Sequence, residues 1–252
     1  MSCLGTDKLM RVYNKLASVP NNDIRGRVHV ERPEQELIAK FLPTQCNVLE
    51  MGGESGTTSL IIDTILDPEY RSKHVVVDPA DSSIPKMERV KKIYGCNFKI
   101  AHGFIGKERK LHEELWEGCK NKKMYSLNEL ETLIDGKFDV LVVDCEGAFY
   151  NILNEFPQIL DNAKLIIIEH DGPSNSNNSV KQNLLNHNFT LIHSQCHPYI
   201  NNFTCPWKQS FQTVHDFKLL KKSHNLIGFH EVYAILDHSL STSRDLYLDD
   251  SN

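Results

Sequence analysis

Apolar residues along the chain gather into short unbroken runs, among them Val75-Val76-Val77, Leu141-Val142-Val143 and Ile166-Ile167-Ile168, without the polar alternation of a half-exposed strand. Such runs suit central parallel strands covered by helices on both faces. They predict strands over Asn47 to Met51, His74 to Asp78, Phe138 to Asp144 and Lys164 to Glu169, with a further strand near the edge over Asn97 to Ala101. Helical spacing fills the intervals at Thr57 to Leu66, Pro85 to Ile93, Ser126 to Ile134, Phe149 to Leu160 and Ser179 to His187, several opening on Ser, Thr or Pro. The alternation predicts an α/β fold. Phe189 to Ser194 and Gly228 to Leu236 add two closing strands, the last antiparallel, and complete a seven-stranded, mostly parallel open sheet.

Upstream, Leu9, Val12, Tyr13 and Leu16 share one face of a short helix, and Glu34 to Leu42 suggests a second. Residues 1–42 therefore read as a helical cap on a core of residues 43–252, all within one domain, with a loop insertion at 195–226. The stretch Gly172 to Asn178 is of low complexity and reads as a flexible loop.

A chain of 252 residues is long enough to bury a sizeable core. With 28 basic against 33 acidic residues the net charge is −5, so the broad positive field of a nucleic-acid binder is missing and no such partner is expected. No apolar run approaches the roughly 18 residues of a membrane span, and the first residues lack the apolar stretch of a secretory signal. A cytoplasmic protein without a membrane partner is the expectation. Seven scattered cysteines with no C-x-x-C pair fit neither a disulfide framework nor a zinc ribbon. The sequons at Asn177, Asn188 and Asn202 then read as accidents of an Asn-rich composition.

The segment from Val48 to Thr58 runs from a strand through Gly52, Gly53, Ser55 and Gly56 into a helix beginning at Thr57. Small residues there let a ligand approach the backbone, and Ser55 or Thr57 can cap the helix. Glu50, Gly52 and Gly56 spell E-x-G-x-x-x-G, which is neither the dinucleotide fingerprint nor a phosphate-cradling loop. A cationic ligand without phosphate suits a carboxylate at that strand end. Asp78 closes the next strand, where an acidic side chain can accept both hydroxyl protons of a ribose. Together these features favour S-adenosylmethionine over NAD, with an ordinary turn and a helix-capping aspartate as the plainer alternative. Gly52→Val is then expected to block binding by filling the ligand's space.

Asp144 and Glu146 follow one strand, and Glu169, His170 and Asp171 follow the next. Ligands in open parallel sheets lie outside the carboxyl ends of the strands, so both groups are expected beside the cofactor. Capping of the helix near Ala148 is the alternative for Glu146.

At these residues the chain resembles the FkbM-like family of S-adenosylmethionine-dependent methyltransferases. The family's Asp-x-Glu-Gly block is similar to Asp144-Cys145-Glu146-Gly147, its serine-leucine helix start to Ser126-Leu127, its acidic residue and proline to Asp78-Pro79, and its later glutamate to Glu169. The resemblance spans roughly residues 34–195 and implies a Rossmann-like class I methyltransferase fold with strand order 3-2-1-4-5-7-6. It implies cofactor contacts from Glu50, Gly52, Gly53, Ser55, Gly56, Thr57, Asp78, Pro79, Gly103 and Asp144, and methylation of hydroxyl groups on sugars or natural products. A looser similarity to TylF-like sugar O-methyltransferases implies a magnesium site from Asp144, Glu169 and His170 or Asp171.

Methyl transfer from a sulfonium is an in-line displacement, and a sugar hydroxyl needs a base or a Lewis acid beside it. Asp144 and Glu169 are the expected catalytic groups, with His170 as the next candidate base. The aromatic loop Gln195 to Lys208 is the expected acceptor contact, and the acceptor a carbohydrate or other small molecule. A homodimer through the N-terminal helices is compatible with this reading. The competing readings are an N-methyltransferase for an amine or protein side chain, and a catalytically silent subunit.

Overall fold

Eight strands make one sheet: β1 (Val48–Met51), β2 (His74–Asp78), β3 (Lys99–Ile105), β4 (Lys123–Tyr125), β5 (Val140–Val143), β6 (Leu165–Glu169), β7 (Phe189–Cys196) and β8 (Phe229–Ile235). In this computed structural model the described residues are 13–14, 32–115, 119–170, 174–196 and 229–236. Across the sheet the strands run β4-β3-β2-β1-β5-β6-β8-β7. β1 to β6 pair in parallel wherever they are neighbours, and β8 lies antiparallel between β6 and β7. Without β4 this is the order 3-2-1-4-5-7-6 expected above. The short β4 makes eight strands where seven were expected, and it turns β3 from an edge strand into an interior one.

The unbroken apolar runs are explained by the two faces they serve. Along β1, β5 and β6, Val48, Val140, Val142, Leu165 and Ile167 point into one core, and Leu49, Met51, Leu141, Ile166 and Ile168 into the other. The first core is closed by α1 (Arg32–Phe41), α2 (Thr57–Ile65) and α3 (Ser83–Tyr94), through Ile38, Ile61 and Val90 among others. Chain-order labels continue with α4 (Arg109–Leu115), α5 (Leu127–Ile134), α6 (Phe149–Glu155) and α7 (Ser174–Asn186). The second core is closed by α5, α6 and α7, through Leu130, Ile152 and Leu184. Each such fully buried aliphatic side chain contributes about 1.5–3 kcal/mol relative to exposure.

Local signals fix several boundaries. Ser126 accepts from the Glu129 N–H while the Glu129 carboxylate accepts from the Ser126 N–H, a reciprocal cap that starts α5. The helix expected over Phe149 to Leu160 ends at Glu155, because Pro157 cannot continue it, and a 3-10 turn follows over Pro157–Leu160. The loop expected over Gly172 to Asn178 is helical from Ser174 onward. Its first turns are polar, so apolar spacing did not reveal them. Of the cap expected at 1–42, α1 docks on α2, with the Thr58 hydroxyl donating to Glu34 at 3.1 Å. Residues 13–14 are helical, and Tyr13 donates to Gln35 at 2.9 Å. The loop insertion, apart from Gln195 and Cys196, lies outside the described residues. Among the described residues no helix is long and apolar enough to cross a membrane.

Candidate functional site

Where β1 ends, the backbones of three neighbouring strands are tied together. The Gly52 N–H donates to the Val77 carbonyl and the Asp144 N–H to the Met51 carbonyl, each at 2.9 Å. Gly52 has φ +95°, and a Cβ there would lie 1.7 Å from the Asp144 carbonyl oxygen. Only glycine permits this approach. The turn behind it is held by Asp78, whose Oδ2 accepts from the N–H groups of Gly53 and Glu54 at 3.0 and 2.9 Å and whose Oδ1 accepts from Ala80 N–H at 2.8 Å. Charge-assisted bonds to backbone donors are stronger than neutral ones, so Asp78 fixes the turn's shape.

Beside this turn lies a cavity of about 390 Å³, within the usual range for small-molecule pockets. One wall is polar, formed by Gly52, Glu54, Asp78, Pro79 and the α3 start with Ser83 and Lys86. Phe104, Ile105, Ala148 and Ile152 supply the apolar part of the cavity's lining. Asp144, Cys145 and Glu146 border it from the end of β5, and Gly103 from β3. Four carboxylates, Glu54, Asp78, Asp144 and Glu146, thus face one lysine, Lys86. That balance favours a cationic ligand and disfavours a pyrophosphate. Ala148 stands at the N-cap of α6, the helix that follows Glu146, and makes no side-chain cap there.

His112 was not among the residues singled out from the sequence. It enters the cavity wall from α4, a helix not anticipated, and its Nε2 lies 3.1 Å from Glu155 Oε2. Burial raises the Glu155 carboxyl, but hydrogen bonds from the Lys107 N–H, His112 and the Glu108 N–H outweigh it and hold the group below its ordinary value.

No protein-family model matches the chain, and no curated protein matches it. Among solved structures it is similar to the ribosomal protein L11 methylase of Lactobacillus delbrueckii subsp. bulgaricus, at 11% identity and a TM-score of 0.46 over 84% of this chain and 80% of that one. It is similar at 12% identity and a TM-score of 0.46 to a putative O-methyltransferase of Klebsiella pneumoniae, over 91% of this chain and 90% of that one. An rRNA methylase of Streptococcus thermophilus gives 10% identity and a TM-score of 0.47, over 87% of this chain and 100% of that one.

The residues singled out from sequence divide into groups. Gly52, Asp78, Pro79, Gly103 and Asp144 line the cavity. Gly53, Ser55, Gly56 and Thr57 shape the turn behind it. A Cβ on Gly53 would lie 2.5 Å from Met87 Sδ, Gly56 starts α2 with φ +78°, and the Ser55 and Thr57 hydroxyls are 2.6 Å apart. Glu50 is turned into the first core, where it accepts from Ser59 at 3.0 Å and sits 2.8 Å from His74 Nε2. Its carboxylate therefore braces β1 and β2 and is absent from the described cavity wall.

Glu169 and His170 are also absent from that wall, which corrects the expectation that the ends of β5 and β6 present their acids to one ligand. Glu169 sits directly across from His230 of β8, at 3.6 Å. His170 lies 2.9 Å from Glu231, which also accepts from Lys181 at 2.7 Å and from the Tyr233 hydroxyl at 2.5 Å. Burial raises the Glu231 carboxyl, yet the neighbouring His170 and Lys181 prevail and hold it low. The antiparallel return of β8 supplies these partners, and its register is not readable from the residues of β8 alone. Asp171 lies outside the described residues. Among the described residues no group of three or more His, Cys, Asp or Glu is placed to hold a metal ion.

Proposed function

We propose that this chain is an S-adenosylmethionine-dependent methyltransferase acting on a hydroxyl group of a small molecule, with sugars the favoured class. The observation that carries the reading is the carboxylate-rich cavity at the carboxyl ends of β1, β2 and β5, closed behind by the Gly52 turn. The residues fit such a cofactor. Four carboxylates against one lysine suit a ligand bearing an ammonium and a sulfonium and no phosphate, and the apolar lining suits a purine. The resemblance of Asp144 to Gly147 to the FkbM-like block supports the hydroxyl acceptor.

When bound, the cofactor supplies an electrophilic methyl group. This chain's part is to position and to move a proton. Asp144 sits where the cavity meets the end of β5, and Glu146, exposed and at φ +52°, borders the same side. Either carboxylate can accept the acceptor's hydroxyl proton, a contribution of typically 10²–10⁴-fold in rate, so about 3–5 kcal/mol. Asp144 is the assigned base because its backbone is fixed through Met51, whereas Glu146 is solvent-facing. Glu169 and His170 drop out of this role.

The test is transfer of a labelled methyl group from S-adenosylmethionine to a panel of sugars and glycosides, read by product mass. Label on a hydroxyl oxygen supports the reading. Label found only on nitrogen, or never transferred, contradicts it.

A further inference from the structure

His112 lines the cavity and is paired with Glu155, which does not line it. His112 is 1% exposed, and its ring lies 5.7 Å from the Phe104 ring, tilted by 35°. Glu155 Oε2 engages His112 Nε2 at 3.1 Å and accepts from the Lys107 N–H at 2.9 Å, while Oε1 accepts from the Glu108 N–H at 2.8 Å. A carboxylate so held is ionised and can only accept. In the neutral imidazole the proton therefore resides on Nε2, and Nδ1 is left as a hydrogen-bond acceptor.

The pair is closely packed. A Cβ on Gly106 would lie 2.2 Å from His112 Nε2 and 2.8 Å from Glu155 Oε2, so the glycine between β3 and α4 leaves the room the pair occupies. Around it Phe104, Ile105, Ala148 and Ile152 provide apolar surface suited to the faces of a flat ring.

We propose that His112, oriented by Glu155, reads the purine of the cofactor, with Nδ1 accepting a hydrogen bond from the 6-amino group. This rests on the methyltransferase reading above and adds the residue that selects the base. A 6-amino purine offers a donor to that nitrogen. A 6-oxo purine sets an acceptor against an acceptor, and buried polar atoms left unpaired are costly. Glu155 acts as a positioning residue, because it fixes which ring nitrogen carries the proton.

The experiment is calorimetric titration of the full chain with S-adenosylhomocysteine and with S-inosylhomocysteine. Wild type should bind the adenosyl compound tighter by on the order of tenfold or more. In His112→Phe the ratio should fall toward one while both compounds still bind, with thermal unfolding confirming the fold. Gly106→Ala keeps the imidazole but displaces it from Glu155, and should also lower the ratio. A merely structural role for the pair would weaken both compounds alike and leave the ratio unchanged. Equal binding of the two by wild type, or an unchanged ratio in His112→Phe, overturns the assignment of His112 and leaves the methyltransferase reading standing. Binding of neither compound by wild type overturns that reading, and this assignment with it.

Discussion

Gly52 and Asp144 approach so closely that a single methyl group on Gly52 would lie 1.7 Å from the Asp144 carbonyl oxygen. The contact joins the end of β1 to the end of β5 and sets the floor of the cavity. Gly52→Ala must therefore move a backbone, and it also places a side chain at φ +95°. We expect a loss of at least about 2 kcal/mol in denaturant unfolding, or failure to fold. Wild-type stability in that variant would contradict the described packing. The expectation that Gly52→Val acts by filling the ligand's space is thus revised, since the protein's own carbonyl occupies that position.

Asp78 accepts from three backbone N–H groups, two of them, Gly53 and Glu54, in the turn. In Asp78→Asn the amide nitrogen must face at least one of those donors. The expected outcome is a loss of about tenfold or more in affinity for S-adenosylhomocysteine, read by calorimetry, with a fall of about 1–3 kcal/mol in stability. Unchanged affinity would separate the turn from ligand binding.

Asp144→Asn should lower kcat by about 10²-fold or more while affinity for S-adenosylhomocysteine stays within a few fold. The acid limb of the rate profile should disappear with it. Glu169→Gln and His170→Asn, whose side chains are engaged with β8, should leave the shape of that profile unchanged. A profile altered by Glu169→Gln and insensitive to Asp144→Asn would reverse the assignment.

Glu231 links acid sensitivity to the β6–β8 pairing. Its carboxyl is held below the ordinary value of 4.5, because His170 and Lys181 outweigh the opposing effect of burial. A folded-state value below the unfolded one gives stability that is present above the unfolded pKa and lost as pH falls through the folded one. Thermal unfolding from pH 6 to 3 (about the range in which carboxylates titrate) should show wild type losing stability toward the acid end. Glu231→Gln should be less stable at neutral pH, by about 3 kcal/mol, with a flatter acid limb. An acid limb as steep as wild type would remove Glu231 from this role.

The sheet was legible because its strands are buried on both faces. Val75 to Val77 and Ile166 to Ile168 need no partner to be recognised, and Ser126 announces α5 through its cap. The three-residue β4 and the polar start of α7 carry no such pattern. The site was legible where it depends on local chain geometry, at Gly52, Asp78 and Asp144. It was hidden where distant residues meet. Glu169 and His170 are adjacent to the right strand end, yet β8, more than fifty residues onward, supplies the partners that engage them. His112 and Glu155 are 43 positions apart, and nothing in the local pattern around either one brings them together.

The carboxylate-lined cavity beside Gly52 is proposed to hold a cationic, phosphate-free nucleoside cofactor. Calorimetric titration of the full chain with S-adenosylmethionine, and in parallel with NAD, tests it most directly. Saturable one-to-one binding of S-adenosylmethionine is expected, with none of NAD at the same concentrations. Binding of NAD with no heat from S-adenosylmethionine would contradict it.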